Sequence, residues 1–151
     1  MGQQQLLLVI LVTIIVGIAT VVAINTFGAA ADSANLDAVR QDMAQIAAAS
    51  QAYYMKPTML GGGGRSFDGI TFNDFAFAAS GISTDGATAQ NENGRYVISD
   101  DDATDFTLTA HPASDDAYQP GTINDGVLNG GTAASETLTA TIEPNDMIWG
   151  S

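Results

Sequence analysis

The chain has 151 residues with 17 acidic and 4 basic side chains, a formal net charge of −13 at neutral pH. Such a surface repels phosphate backbones and anionic headgroups and attracts cations, so nucleic acid is excluded as a partner. No cysteine is present, which removes disulfides and thiolate metal sites.

The first element is "GQQQLLLVILVTIIVGIATVVAINTFG", and no charged side chain occurs before Asp32. Residues 6–24 give 19 consecutive uncharged positions, against the ~20 a helix needs to cross the hydrocarbon core of a bilayer. Its β-branched residues disfavour helix in water, but in lipid a lone spanning segment must satisfy its own backbone. A cleavable secretory segment is shorter, about 7–15 apolar residues. "FGAAADSA" imitates a cleavage site, so ordinary signal-peptide removal stands as the alternative. No Lys or Arg precedes the segment. The acidic remainder follows it, with nothing basic behind the span to retain it, and is expected outside the cytoplasm.

Residues 32–54 contain neither Gly nor Pro. Leu36, Val39, Met43, Ile46 and Tyr53 recur at three- and four-residue spacing and paint one stripe on a helix. Asp37, Arg40, Gln41, Gln45 and Gln51 are assigned to the opposite face, with Asp37 and Arg40 placed for an i,i+3 pair. Pro57 forbids continuation, and Lys56 suits the negative end of the helix dipole. One helix from about Gln4 to Met55 is predicted, roughly 75 Å long at 1.5 Å per residue. Gly17 and Gly28 are its softest points.

"GGGG" at 61–64 predicts a flexible break, since "GGGGRS" lacks the lysine of a phosphate loop. Phe67, Ile70, Phe72, Phe75 and Phe77 are core candidates, and the alternation of Phe75 with Phe77 fits a strand or a helical turn. From Gly94 onward the pattern becomes β: "RYVIS", "FTLTA" and "TLTATI" are separated by turn-forming residues. "ISDDDATDF" is long enough to hold a hairpin loop. "PGTINDGVLNGGTAAS" reads as a connection with a short strand at Val127 and Leu128, and "NDMIWG" adds an edge strand plugged by Trp149. The fold class is therefore α+β, a long N-terminal helix packed on a small antiparallel sheet. The divisions are 1–28, an apolar helix; 29–55, its amphipathic continuation; 56–94, a Gly-rich connecting region; and 95–151, the β head.

Candidate chemistry is sparse. Asp100, Asp101, Asp102 and Asp105 form the densest acidic cluster. Calcium takes six to eight oxygens and could use such a loop, yet the spacing does not match a calcium-loop pattern, and a solvated hairpin loop is the preferred reading. His111 is the single histidine, with no nucleophile-elbow motif, so neither an enzyme nor a resident cofactor is expected.

The aliphatic start followed by an amphipathic continuation and a small sheet resembles a type IV pilin or pseudopilin. "GQQQLLL", "YYMKP" and "GGGGRSF" together resemble a group of bacterial pilin-like envelope proteins, and the GQ start is similar to class III signal peptides of archaeal pilins and flagellins. The resemblance implies leader-peptidase cleavage between Gly2 and Gln3 and a methylated mature terminus. It further implies residence in the inner membrane, then extraction by pilus or secretion machinery into an extracellular filament of identical subunits. The assembly helix would contribute Leu6, Leu7, Leu8, Ile10, Leu11, Ile14, Ile15, Gly17, Ile18, Val21 and Val22. Small residues at i,i+4, Thr13 with Gly17 and Ala19 with Ala23, suit close helix approach. The alternative is a single-pass anchored extracytoplasmic domain exposing a cation-binding loop.

Overall fold

A computed structural model describes residues 2–131 and 137–150, which leaves Met1, Ser151 and the end of the 120–135 connection outside the described residues. The chain divides into two compact units, Met1–Ala34 and Asn35–Ser151. One 54-residue helix, α1 (Gly2–Met55), belongs to both and is helical through Gly17 and Gly28.

The second unit is built where the helix becomes amphipathic. Val39, Met43, Ile46 and Ala47 are buried, Tyr53 packs on the core half-buried, and Leu36 at the head of the stripe is also half-buried. The far face is solvated, and Arg40 Nη1 meets Asp37 Oδ1 at 3.0 Å. Gln51 departs from its expected place: its Nε2 donates to the carbonyls of Glu143 (3.0 Å) and Asp146 (3.2 Å). At about 100° per residue Gln51 sits on the flank of the stripe, not opposite it, within reach of a turn of the sheet.

That sheet has eight strands: β1 (Gly81–Ile82), β2 (Thr88–Gln90), β3 (Gly94–Ser99), β4 (Phe106–Pro112), β5 (Thr122–Asn124), β6 (Val127–Asn129), β7 (Leu138–Ile142) and β8 (Met147–Trp149). Their spatial order is β5-β6-β1-β2-β3-β4-β7-β8, antiparallel throughout except where β1 runs parallel to β6. The long central pair β3–β4 runs from Gly94↔Pro112 to Ser99↔Thr107. Period-two alternation sends Tyr96, Ile98, Phe106, Leu108, Ala140 and Ile142 into the core. The other face carries a threonine ladder, with Thr107↔Thr141 and Thr109↔Thr139 in register. β pairing thus starts at Gly81, earlier than the Gly94 expected, because two- and three-residue strands are too short to show a period. Phe75 and Phe77 belong to neither a strand nor a helix. They lie in an irregular run whose alternate residues are half-buried, and the Phe77 ring stands edge-on to Tyr96 at 5.3 Å.

The four glycines form a cap rather than a loose break. After a 3-10 turn (Thr58–Leu60), Gly61 takes φ 74° and the chain folds back along the helix end. The N–H groups of Gly63, Gly64 and Arg65 donate to the carbonyls of Tyr53 (2.9 Å), Lys56 (3.0 Å) and Tyr54 (2.9 Å). Carbonyls that a helix end leaves without partners are satisfied by this wrap. A Cβ on Gly62 would collide with the Lys56 carbonyl, and one on Gly63 with that of Ser66.

Two substitutions separate these contributions. Ile46→Ala, at a fully buried site, should cost about 2–5 kcal/mol, and Gly62→Ala about 1–3 kcal/mol through backbone displacement. Denaturant titration of the detergent-solubilised chain by circular dichroism checks both; a silent Gly62→Ala would refute the close-packed cap.

Candidate functional site

Fifteen large apolar side chains lie between Leu6 and Phe27, and each is 48–75% exposed. They include Leu6, Leu7, Leu8, Ile10, Leu11, Ile14, Ile15, Ile18, Val21 and Val22. Gly17 interrupts them, and nothing lies within 4 Å of where its Cβ would stand. Polar atoms on this surface are turned inward. Thr13 Oγ1 donates to the Ile10 carbonyl (2.8 Å), Thr20 Oγ1 to Val16 (2.8 Å) and Thr26 Oγ1 to Val22 (2.8 Å). Each of these hydroxyls satisfies itself on its own helix, which leaves the exposed Asn25 amide as the polar side chain this surface presents outward. The segment is long and apolar enough to cross a membrane, with a mean hydropathy of 3.2 over its best window and none of that window buried. Length and composition alone fit a membrane anchor or a signal sequence. Gly2 and Gln3 stand exposed in the first turn of α1.

The second unit holds a polar latch that the sequence did not suggest. Asp42 accepts three hydrogen bonds on one oxygen, Oδ2: from Asn91 Nδ2 (2.8 Å), Asn93 Nδ2 (2.7 Å) and Tyr96 Oη (2.7 Å). One turn pair earlier, Asn35 Nδ2 donates to the Asn93 carbonyl at 3.0 Å, and Asn35 Oδ1 accepts from the Ser114 N–H at 3.2 Å. Asn35 and Asp42 are seven residues apart and therefore share one flank of the stripe; Gln51 serves the other. Tyr96 is fully buried. Burial, reinforced by its bond to Asp42 and by the Asp42 charge, holds its hydroxyl well above the ordinary tyrosine range. Beside the latch, Asp42, Ser80, Asn91 and Glu92 border an open depression of about 440 Å³.

The acidic loop closes β3 onto β4, and the Asp101 and Asp102 carboxylates accept from backbone N–H groups. Asp102 Oδ1 accepts from the N–H (2.8 Å) and hydroxyl (2.8 Å) of Thr104, and these bonds hold the Asp102 carboxyl below its usual range. Asp101 Oδ2 accepts from the Gly69 N–H at 2.8 Å, while Asp100 turns the chain with φ 51°. Asp105 gives its N–H to Asp102 Oδ1 at 3.3 Å. Among the described residues no three His, Cys, Asp or Glu side chains cluster as a metal site. His111 is buried at the end of β4, opposite Arg95 on β3. Arg95 reaches the Gly130 carbonyl through Nη2 at 2.7 Å.

No protein-family model, no curated protein and no solved structure matches the chain. The architecture itself is pilin-like: a long N-terminal helix, apolar in its first half, whose second half packs on an antiparallel sheet.

Removing the latch acceptor strands three donors, one of them on a fully buried ring. Asp42→Ala should therefore cost about 3 kcal/mol, whereas Asp37→Ala, in an exposed ion pair, should cost under about 1 kcal/mol. The tyrosine supplies a pH signature. Its folded pKa lies above the unfolded value, so its contribution is whole below about pH 10 and drains away as pH rises beyond that. Alkaline unfolding curves test the assignment: Tyr96→Phe should flatten the decline, and an unchanged slope would refute it.

Proposed function

We propose that the protein is a structural subunit of an extracellular type IV pilus-like filament or secretion pseudopilus. The observation that carries this reading is the apolar surface of residues 6–27, fifteen large side chains all standing in the open. Fully burying a Val, Leu, Ile or Phe is worth about 1.5–3 kcal/mol, so such a surface has to be covered by something apolar. A bilayer covers it before assembly. A bundle of the same helices from other copies covers it afterwards, and the inward-turned threonines leave no hydroxyl to satisfy across the contact. In this reading the acidic second units coat the polymer and keep it soluble, and the chain needs neither catalysis nor a cofactor.

A second reading, a single-pass anchored extracytoplasmic domain, draws on the same segment and on the acidic depression beside Asp42 and Glu92. Calcium titration by calorimetry separates the cation-binding version, which requires heat and a raised melting temperature.

Surface material sheared from cells, imaged by electron microscopy and identified by mass spectrometry, tests the filament. Fibres containing this chain with a mature start at Gln3 are expected. Recovery only as detergent-solubilised monomers, or a start near Asp32, would contradict it. Ile14→Lys should abolish fibres, since a lysine at the centre of an apolar span costs about 2.5–3.5 kcal/mol.

A further inference from the structure

Where α1 ends, the chain presents an apolar and basic elbow. Met59 is 96% exposed, Leu60 67% and Met55 66%, three large apolar side chains within six residues. The backbone beneath them is fixed. Gly61 to Arg65 are hydrogen-bonded to carbonyls of Tyr53, Tyr54, Lys56, Pro57 and Thr58, so these side chains stand on a folded platform. Lys56 and Arg65, at the two ends of this platform, are exposed as well.

Charge makes the position specific. The chain has only four basic residues. Arg40 is paired with Asp37, and Arg95 is buried against the Gly130 carbonyl. Lys56 and Arg65 are the two exposed cations without an ion pair among the described residues, and both flank the exposed methionines. Exposed apolar side chains flanked by the two basic side chains without an ion pair among the described residues are complementary to the acidic surface of the same molecule.

We infer that the Met55–Arg65 elbow docks onto the acidic surface of a second copy of this chain, a head-to-head contact that rests on the filament reading. Methionine side chains supply adaptable apolar contact, and Lys56 and Arg65 supply orientation against carboxylates.

The absence of cysteine allows a clean probe. Met59→Cys replaces an almost fully exposed side chain, so folding is not at stake. In fibres, this thiol should react with a water-soluble maleimide about tenfold more slowly than in the detergent-solubilised monomer, because reaction must await opening of the contact. Raising salt to ~1 M, where the screening length falls to about 3 Å, should relieve part of the protection. Carbodiimide treatment of fibres grown from mixed light and heavy isotope subunits should join Lys56 to an acidic peptide of the other isotope.

Fibres in which the thiol reacts as fast as in the monomer would overturn the contact and leave the polymer standing. Protection of the monomer by phosphatidylserine vesicles, with none in fibres, would overturn it in favour of a lipid surface. A failure of the wild-type chain to form fibres would overturn both readings together.

Discussion

An aliphatic helix surface left in water is the constraint on which everything else in this protein depends. Residues 6–27 expose Leu, Val, Ile and Phe on every side of the helix, so no single face can be turned away to solve the problem. The three threonines that could have offered polar contacts donate instead to carbonyls one turn back. None of the best apolar window of this segment is buried, and its length and composition fit a membrane anchor or a signal sequence. Charge obeys the same constraint, since ionised side chains begin only at Asp32.

The helix changes its chemistry as it enters the second unit. There a stripe about 100° wide or more faces a sheet, as in an ordinary soluble domain. Val39, Met43 and Ile46 supply the apolar part of the contact, and Asn35, Asp42 and Gln51 fix it by hydrogen bonds on both flanks. Apolar burial is tolerant of sliding, whereas a carboxylate oxygen that accepts three donors is not. The latch therefore sets the register of helix against sheet, and the glycine wrap closes the helix end. Both devices spare the head from needing disulfides, which this cysteine-free chain cannot form.

Legibility followed the strength of the periodic signal. The apolar run is visible because 19 consecutive residues carry no charge, and the Leu36-to-Tyr53 stripe because five apolar residues keep three- and four-residue spacing. β4 and β7 show alternating threonines, and β3 a cluster of Tyr, Val and Ile. β1 and β2 are invisible for the opposite reason: "GI" and "TAQ" have no period, and their place is decided by neighbours already in the sheet. The β5–β6 hairpin is missed although Asp125 and Gly126 are the residue pair that a tight turn with two positive φ angles selects; only its second strand, at Val127 and Leu128, is expected. Its flanking strands are only three residues each, so the segment reads as connection. "GGGG" reads as looseness because composition reports freedom in the unfolded chain. What the folded chain requires at 62 and 63 is the absence of a side chain beside a carbonyl. Asp42 escaped notice because a lone acid at the edge of an apolar stripe resembles any solvated helix residue; its three donors come from residues about fifty positions away.

Electron cryomicroscopy of the isolated fibre addresses the central proposition most directly. The account predicts helical density at the fibre axis for residues 6–22, with these segments of neighbouring copies in side-chain contact and the acidic domains outermost. A fibre in which those segments lie separated from one another, or from which they have been removed, would contradict it.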